Sequence, residues 1–248
     1  MPVMTEILQD HMPRDMVDAR ALPGVQPLDP TAWLRVDEAY AAQMAHRRRL
    51  IAIRRADVYW QDRTAADAAR EVLSEALKHL PPLGFEVSGQ MCHCPDGAVV
   101  DLAGDAPLVA LGQILQEDIC LMEKRGDAHV LTAAILCFPA SWRLREKVGR
   151  PLIAIHDTVA EYDDAIARRV QRLFDGVQVG RPLWRYNRLW YDDPELFQPR
   201  SASEPRRIAP GQAEAAYQRA ERQSLVRLPQ TGAVVFSIHT YVVKRSAE

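Results

Sequence analysis

The sequence predicts an α+β fold built around a largely antiparallel sheet. Helical segments with a 3.6-residue apolar period are interspersed with strand-like segments, and Pro95-Asp96-Gly97 has the composition of a tight turn between two strands. Of the 248 residues, 48% are hydrophobic and 26% are charged, which is typical of a folded chain that is not embedded in a membrane. These features together favour helices packed on a mainly antiparallel sheet.

The first 30 residues contain five prolines, and each proline fixes φ and removes a backbone donor. We therefore interpret residues 1–30 as a Pro-rich arm and residues 31–248 as a single domain. In the N-terminal half the predicted helices are 31–49, 62–80 and 107–122, and the predicted hairpin is 85–101.

Residues 128–138 form an almost unbroken apolar run, which is typical of a strand buried on both faces. A loop is expected at residues 192–207, which are rich in proline and charge. Further along the chain the predicted helices are 162–175 and 211–225, and the predicted strands are 184–190 and 233–243.

Charge and motifs exclude several classes of function. The formal net charge of −2 argues against a protein that binds nucleic acid or anionic lipid through its overall field, so we expect neither partner. No phosphate-binding loop, dinucleotide fingerprint, zinc-protease motif or nucleophile elbow is present. Four cysteines are too few for a disulfide framework and no signal-peptide pattern begins the chain, so we expect a cytoplasmic location.

The Cys92-His93-Cys94 sequence resembles a soft-metal ligand cluster, but its spacing is too short for a zinc site. On a strand, Cys92 and Cys94 share one face and His93 points to the other. We interpret the two cysteines as small buried residues.

Two histidines have unusual contexts. His156 follows the apolar segment 152–155 and precedes Asp157, so its imidazole would emerge from a protected wall, as the axial ligand of a haem iron does. His239 alternates with apolar neighbours in the last predicted strand, so it faces either the core or solvent.

Residues 221–241, ERQSLVRLPQTGAVVFSIHTY, resemble the signature of the haem-dependent oxidative N-demethylase family. Three further blocks occur in the family's order: residues 116–122, residues 137–149, and residues 152–162 with His156 and Tyr162. The chain departs from the family pattern at His239, where the family has arginine, at Ala160-Glu161, where it has Pro-Gly, and at Arg188, where it has tryptophan.

The resemblance implies a PAS-like fold, an antiparallel sheet flanked by helices, that binds haem b. It also implies activation of dioxygen and oxidative demethylation of a small secondary amine such as dimethylamine, with release of formaldehyde. Flavin or iron–sulfur reductase subunits would supply the electrons. His156 corresponds to the axial ligand of the iron.

The other site residues are assigned by chemistry, each with a structural alternative. An arginine is suited to a haem propionate, a carboxylate to an amine cation, and an aromatic ring to the wall of a haem pocket; the alternatives are surface ion pairs, capping and core packing. The candidates are Arg143, Arg222 and Arg227 for the propionates, Glu117 and Asp118 for the amine, and Trp142 and Tyr162 for the wall.

Two other functions remain open on the same scaffold. An inward-facing His239 would give bis-imidazole ligation, which closes the iron to oxygen and indicates a haem sensor or an electron-transfer module. A domain that binds a small ligand or a partner without haem is the third hypothesis.

Overall fold

Seven α-helices and ten strands form within residues 7–17, 24–155, 164–205, 211 and 214–245, which are the parts of the chain that the computed structural model describes. The helices are α1 (Arg14–Val17), α2 (Tyr40–Ile53), α3 (Arg55–Val58), α4 (Ala66–Leu77), α5 (Pro107–Ile114), α6 (Leu152–Ile155) and α7 (Asp164–Gly176). The strands are β1 (Gln26–Pro27), β2 (Tyr59–Gln61), β3 (Glu86–Ser88), β4 (Met91–His93), β5 (Val99–Asp101), β6 (Asp118–Arg125), β7 (Ala128–Ile135), β8 (Leu183–Tyr191), β9 (Tyr217–Arg227) and β10 (Val234–Lys244).

The predicted α+β class with an antiparallel sheet flanked by helices is confirmed. The large sheet has the order β1-β8-β9-β10-β6-β7-β2, and every neighbouring pair in it is antiparallel. A second sheet contains only the short strands β3, β4 and β5. The predicted hairpin is therefore three short strands, and the turn at residues 95–97 connects the last two.

Two predicted helices are wrong. Residues 107–122 form α5 only as far as Ile114, and β6 begins at Asp118, because the apolar run reflects a strand buried on both faces rather than a longer helix. Residues 217–227 form β9 and not a helix, since β8 and β10 pair with it on either side and bury its polar residues.

The large sheet has two faces with different surroundings. The back face, which carries Trp184, Arg222 and His239 on adjacent strands, packs against the main hydrophobic core that includes residues of α2, α4 and α5. The front face, which carries Leu225 and Ile238, packs against a separate apolar cluster that includes residues of α6 and α7.

The described part of the N-terminal segment is attached to the large sheet. Strand β1 pairs with the start of β8, and the Gln9 backbone N–H donates to the Val242 carbonyl at 3.0 Å. The Gln9 side chain also bonds to strand β10 and to Asp37.

Gly112 marks the closest approach of α5 to the sheet. A Cβ atom at this position would lie 2.5 Å from Ile135 Cγ1 and 3.0 Å from Ile51 Cδ1. We expect Gly112→Ala to lower the free energy of unfolding by about 1–3 kcal/mol through overpacking, measured by urea denaturation. Gly176→Ala is the control, because nothing lies within 4 Å of its Cβ position; equal stability of the two variants would contradict the close packing.

Candidate functional site

The front face of the sheet arranges its side chains in rows, because residues directly opposite each other in paired strands lie on the same face. The first row is apolar and consists of Leu183, Leu225, Phe236, Cys120 and Ala134. The second row consists of Arg185, Gln223, Ile238 and Asp118, and the third of Asn187, Glu221 and Thr240. An apolar platform therefore borders a polar group of side chains.

Glu221 is the centre of that polar group. Its side chain is only 8% exposed, and its Oε2 atom accepts hydrogen bonds from Asn187 Nδ2 and Gln223 Nε2, both at 3.0 Å. The closest cation to its Oε1 atom is Arg219 Nη2 at 3.9 Å, beyond hydrogen-bond distance. Two amides therefore fix the carboxylate while Oε1 receives no hydrogen bond from the described side chains.

Several buried polar atoms of the front face have no hydrogen-bond partner among the described residues. They include Arg185 Nε and Thr240 Oγ1, in the second and third rows, Arg219 Nε in the adjoining row, and His129 Nε2 on β7. Burial lowers the pKa of Arg185, and the charge of Glu221 offsets only part of that effect. Because buried polar groups are almost always hydrogen-bonded in folded proteins, these atoms make this face the candidate site for a ligand.

Short elements border the platform. Ile155, the last residue of α6, and Trp142 are both half-buried against the front-face cluster, together with Leu173 and Val170 of α7. The described chain stops at Ile155 and resumes at residue 164. Ile155, the last described residue before this gap, therefore lies beside the front-face cluster.

A family model described as haem-dependent oxidative N-demethylase, alpha subunit-like, matches residues 24–247, which is nearly the whole chain. The chain belongs to this family. The family's name indicates dependence on haem and an oxidative demethylation, and an alpha subunit implies that other subunits exist.

The front face suits the haem of an oxidative N-demethylase. Haem combines a large apolar ring with two carboxylates, and this face offers an apolar row next to an unpartnered arginine nitrogen. Of the residues assigned to the cofactor from the sequence, Trp142 lies beside this face. His156 and Tyr162 lie outside the described residues.

The three arginines assigned to the propionates have other contacts. Arg143 is exposed and pairs with Glu204 at 2.7 Å. Arg222 lies on the back face, where it donates to the carbonyls of Ala32 and Trp33 at 2.7 and 3.1 Å. Its pKa is lowered to about 10, mainly by burial and also by Arg35.

Arg227 donates to the carbonyls of Val177, Phe174 and Gly232 at 2.5 to 2.6 Å, so it connects β9 to the end of α7. These contacts give Arg222 and Arg227 structural roles. Arg143 forms an ion pair at the surface, so the contacts of all three arginines favour the structural alternative.

Asp118, one of the two acids assigned to the amine, already has partners on both oxygens. Oδ1 accepts from Arg47 Nη1 at 2.7 Å and from the Cys137 backbone N–H at 2.6 Å, and Oδ2 accepts from the Phe138 N–H at 2.9 Å. Both the Arg47 and the Asp118 side chains are buried. This carboxylate neutralises an arginine and caps the end of β7, which favours the structural alternative for Asp118.

Glu117 binds His239 on the back face. Its Oε1 atom lies 3.0 Å from His239 Nδ1, and Asp37 Oδ2 lies 3.0 Å from His239 Nε2. Burial alone would lower the pKa of His239, but Tyr241, Glu117 and Asp37 together raise it well above 6.5. The imidazole is thus a buried cation between two carboxylates, and with both nitrogens occupied it has none to offer a haem iron.

The sequence assignments missed the polar residues of the front face, Arg185, Asn187, Glu221, Gln223 and Thr240. A signal was present for β8, since Leu183, Arg185 and Asn187 alternate along a predicted strand. Glu221 and Gln223 were hidden because a helix was predicted there, and residues two apart do not share a helix face.

Cys92 and Cys94 are both buried, as predicted, and His93 is exposed. Within the described residues, no group of three or more His, Cys, Asp or Glu side chains is arranged to hold a metal ion. No described helix has both the length and the hydrophobicity needed to cross a membrane.

Proposed function

We propose that this chain is a haem-binding oxygenase subunit that removes a methyl group oxidatively from a small secondary amine of the dimethylamine type. The observation that carries the proposal is the buried Glu221 carboxylate, which is held by two amides in the third row of the front face, on the same face of the sheet as the apolar row. A secondary amine is a cation at neutral pH, so a buried carboxylate on the same sheet face as an apolar row is suited to bind it.

His156 is the proposed axial ligand. It directly follows Ile155, whose side chain packs against the front-face cluster, and consecutive Cα atoms are about 3.8 Å apart. We propose that this imidazole binds the iron of a haem b group held on the front face. Arg185 has an unpartnered nitrogen at the border of that platform.

Glu221 is the residue proposed to hold the amine, in place of Glu117 and Asp118. Its Oε1 atom is free to accept a hydrogen bond from an ammonium group, whereas Asn187 and Gln223 keep Oε2 fixed. A carboxylate that is already fixed can hold the amine in one position, which keeps the methyl carbon close to the reacting centre. The Phe236 and Ile238 side chains exclude water from the same face.

Haem, when bound, supplies the activation of dioxygen and the oxidation of the methyl carbon. The overall reaction takes one amine, one O₂, two electrons and two protons and gives the demethylated amine, formaldehyde and water. The electrons come from partner subunits of the flavin or iron–sulfur type.

The remaining expectations form part of the same proposal. His239 faces away from the platform with both ring nitrogens bonded, which favours an iron with an open position for oxygen over bis-imidazole ligation. We also retain a PAS-like arrangement of one domain over residues 31–248 and a cytoplasmic location, the latter supported by four free cysteines.

Glu221→Gln tests the amine site. Because the variant keeps the shape of the side chain and loses its charge, we expect kcat/KM for dimethylamine to fall about 10- to 100-fold, with haem content unchanged. The assay measures formaldehyde in the presence of NADPH and a reductase, and Glu86→Gln, at an exposed position on β3, is the control. Unchanged kcat/KM in Glu221→Gln would show that this carboxylate does not hold the amine.

A further inference from the structure

Arg185 is an unusual residue on the front face, because its guanidinium group lacks a partner. Its Nε atom is fully buried, and none of its nitrogens donates a hydrogen bond to a described residue. The nearest acid in the sheet is Glu221, one row away on the neighbouring strand. Its carboxylate already accepts hydrogen bonds from Asn187 and Gln223 and lies 3.9 Å from Arg219.

Three other arginines of the described chain are more deeply buried than Arg185, and each of them donates several hydrogen bonds. Arg47 donates to Asp118 and to backbone carbonyls, Arg219 to the carbonyls of Leu196 and Phe138, and Arg222 to those of Ala32 and Trp33. The chain therefore supplies each of these three guanidinium groups with several acceptors, although the Nε atoms of Arg219 and Arg222 have no partner. Arg185 differs from them because none of its nitrogens donates a hydrogen bond to a described residue, which indicates that its partner is supplied from outside the chain.

We propose that Arg185 binds a carboxylate of a ligand lying on the front face. This inference rests on the proposed function and extends it. Two sources supply that chemistry: a haem propionate, or the carboxylate of a substrate that is itself an N-methylated amino acid. A guanidinium group meets either carboxylate through two parallel hydrogen bonds.

The position of Glu221 makes the second source specific. Arg185 and Glu221 are diagonal neighbours on β8 and β9, and residues in this relation lie about 7–8 Å apart. One cation and one carboxylate at this spacing match the carboxylate and the ammonium group of an N-methyl amino acid. Dimethylamine has only the second of these charges.

The first test uses the haem-free full-length protein. Replacing Arg185 by methionine removes a half-buried cation that lacks a partner, so we expect the melting temperature of Arg185→Met to equal or exceed that of the wild type. Arg181→Met, at an exposed position before β8, is the control. A melting temperature several degrees below both would show that Arg185 supports the fold itself and would overturn the proposal.

The second test separates the two sources. Four proteins are compared: the wild type, Arg185→Met, Arg185→Lys and Arg181→Met. Each is titrated with haemin and with haemin dimethyl ester. Binding of N-methylglycine and of dimethylamine is measured by the thermal shift that each amine produces. A propionate partner makes Arg185→Met bind haemin about 10- to 100-fold more weakly than wild type, while the ester binds both alike and lysine restores part of the loss.

A substrate partner gives a different pattern. Haemin then binds all four proteins alike, whereas N-methylglycine binds Arg185→Met about 10- to 100-fold more weakly and dimethylamine does not distinguish the variants. If every ligand binds Arg185→Met and Arg181→Met equally, the proposal is wrong. A wild type that takes up no haemin contradicts the proposed function instead, and the N-methylglycine arm then decides the role of Arg185 by itself.

Discussion

His156→Ala is expected to abolish haem retention while leaving a folded protein. The reason is that this imidazole forms the only proposed bond between the protein and the iron. Without it, the haem is held only by apolar contacts and by hydrogen bonds to its propionates. The measurement is the haem-to-protein ratio after gel filtration, with far-UV circular dichroism to establish folding.

The matched control for this variant is His93→Ala, which removes an exposed imidazole from β4. Its haem content is expected to equal that of the wild type. His129 provides the alternative outcome, because its buried Nε2 atom has no hydrogen-bond partner and the ring packs at 5.4 Å from Phe174 on the front side. If His129→Ala loses haem and His156→Ala retains it fully, the axial ligand is His129 and our assignment of His156 is wrong.

His239→Gln is expected to lower the free energy of unfolding by about 3–5 kcal/mol at neutral pH. The substitution leaves Glu117 and Asp37 without the cation that lies between them, and Glu117 is almost completely buried. Urea denaturation measures the effect, and His93→Gln is the control. A loss below about 1 kcal/mol would show that the imidazolium contributes no more than a surface pair.

The pH dependence of that loss follows from the pKa shifts. Tyr241 and the carboxylates outweigh burial and raise the pKa of His239 well above 6.5, so its contribution is fully present below pH 6.5 and disappears as pH rises through the raised value. The Asp37 pKa is about 2, because bonds and charge from His239 outweigh burial, so its contribution is present above about pH 3.8 and disappears towards pH 2. The difference in the free energy of unfolding between wild type and His239→Gln should therefore be largest between about pH 3.8 and pH 6.5.

The elements with strong amphipathic periodicity were predictable. Helices α4 and α7 and strand β8 lie where the sequence places them, because one face of each meets a core. Strand β10 also lies where it was predicted, although both of its faces are buried. Strand β6 was not, since a strand buried on both faces has no alternation to distinguish it from a helix. Strand β9 was not either, because its charged residues are buried by neighbours 30 or more positions away along β8, which no local pattern records.

The candidate site follows the same division. The sequence motifs alone were enough to predict the family and to propose His156 as the axial ligand, without knowledge of the order of the strands. Glu221 and Arg185 required it, because they meet only when β8 and β9 pair in register. Glu117 was predicted to serve the amine, but the fold uses it with Asp37 to hold His239 on the opposite face.

Titration of the full-length wild-type protein with haemin, followed by the Soret band, tests the central claim most directly. The account predicts saturation at one haem per chain, a ferrous form that binds carbon monoxide, and a weaker complex when Phe236 in the apolar row is replaced by aspartate. Two results would contradict a haem site on the front face of the sheet. One is a protein that shows no Soret band at any ratio of haemin to protein, and the other is an equal haem affinity of the wild type and Phe236→Asp.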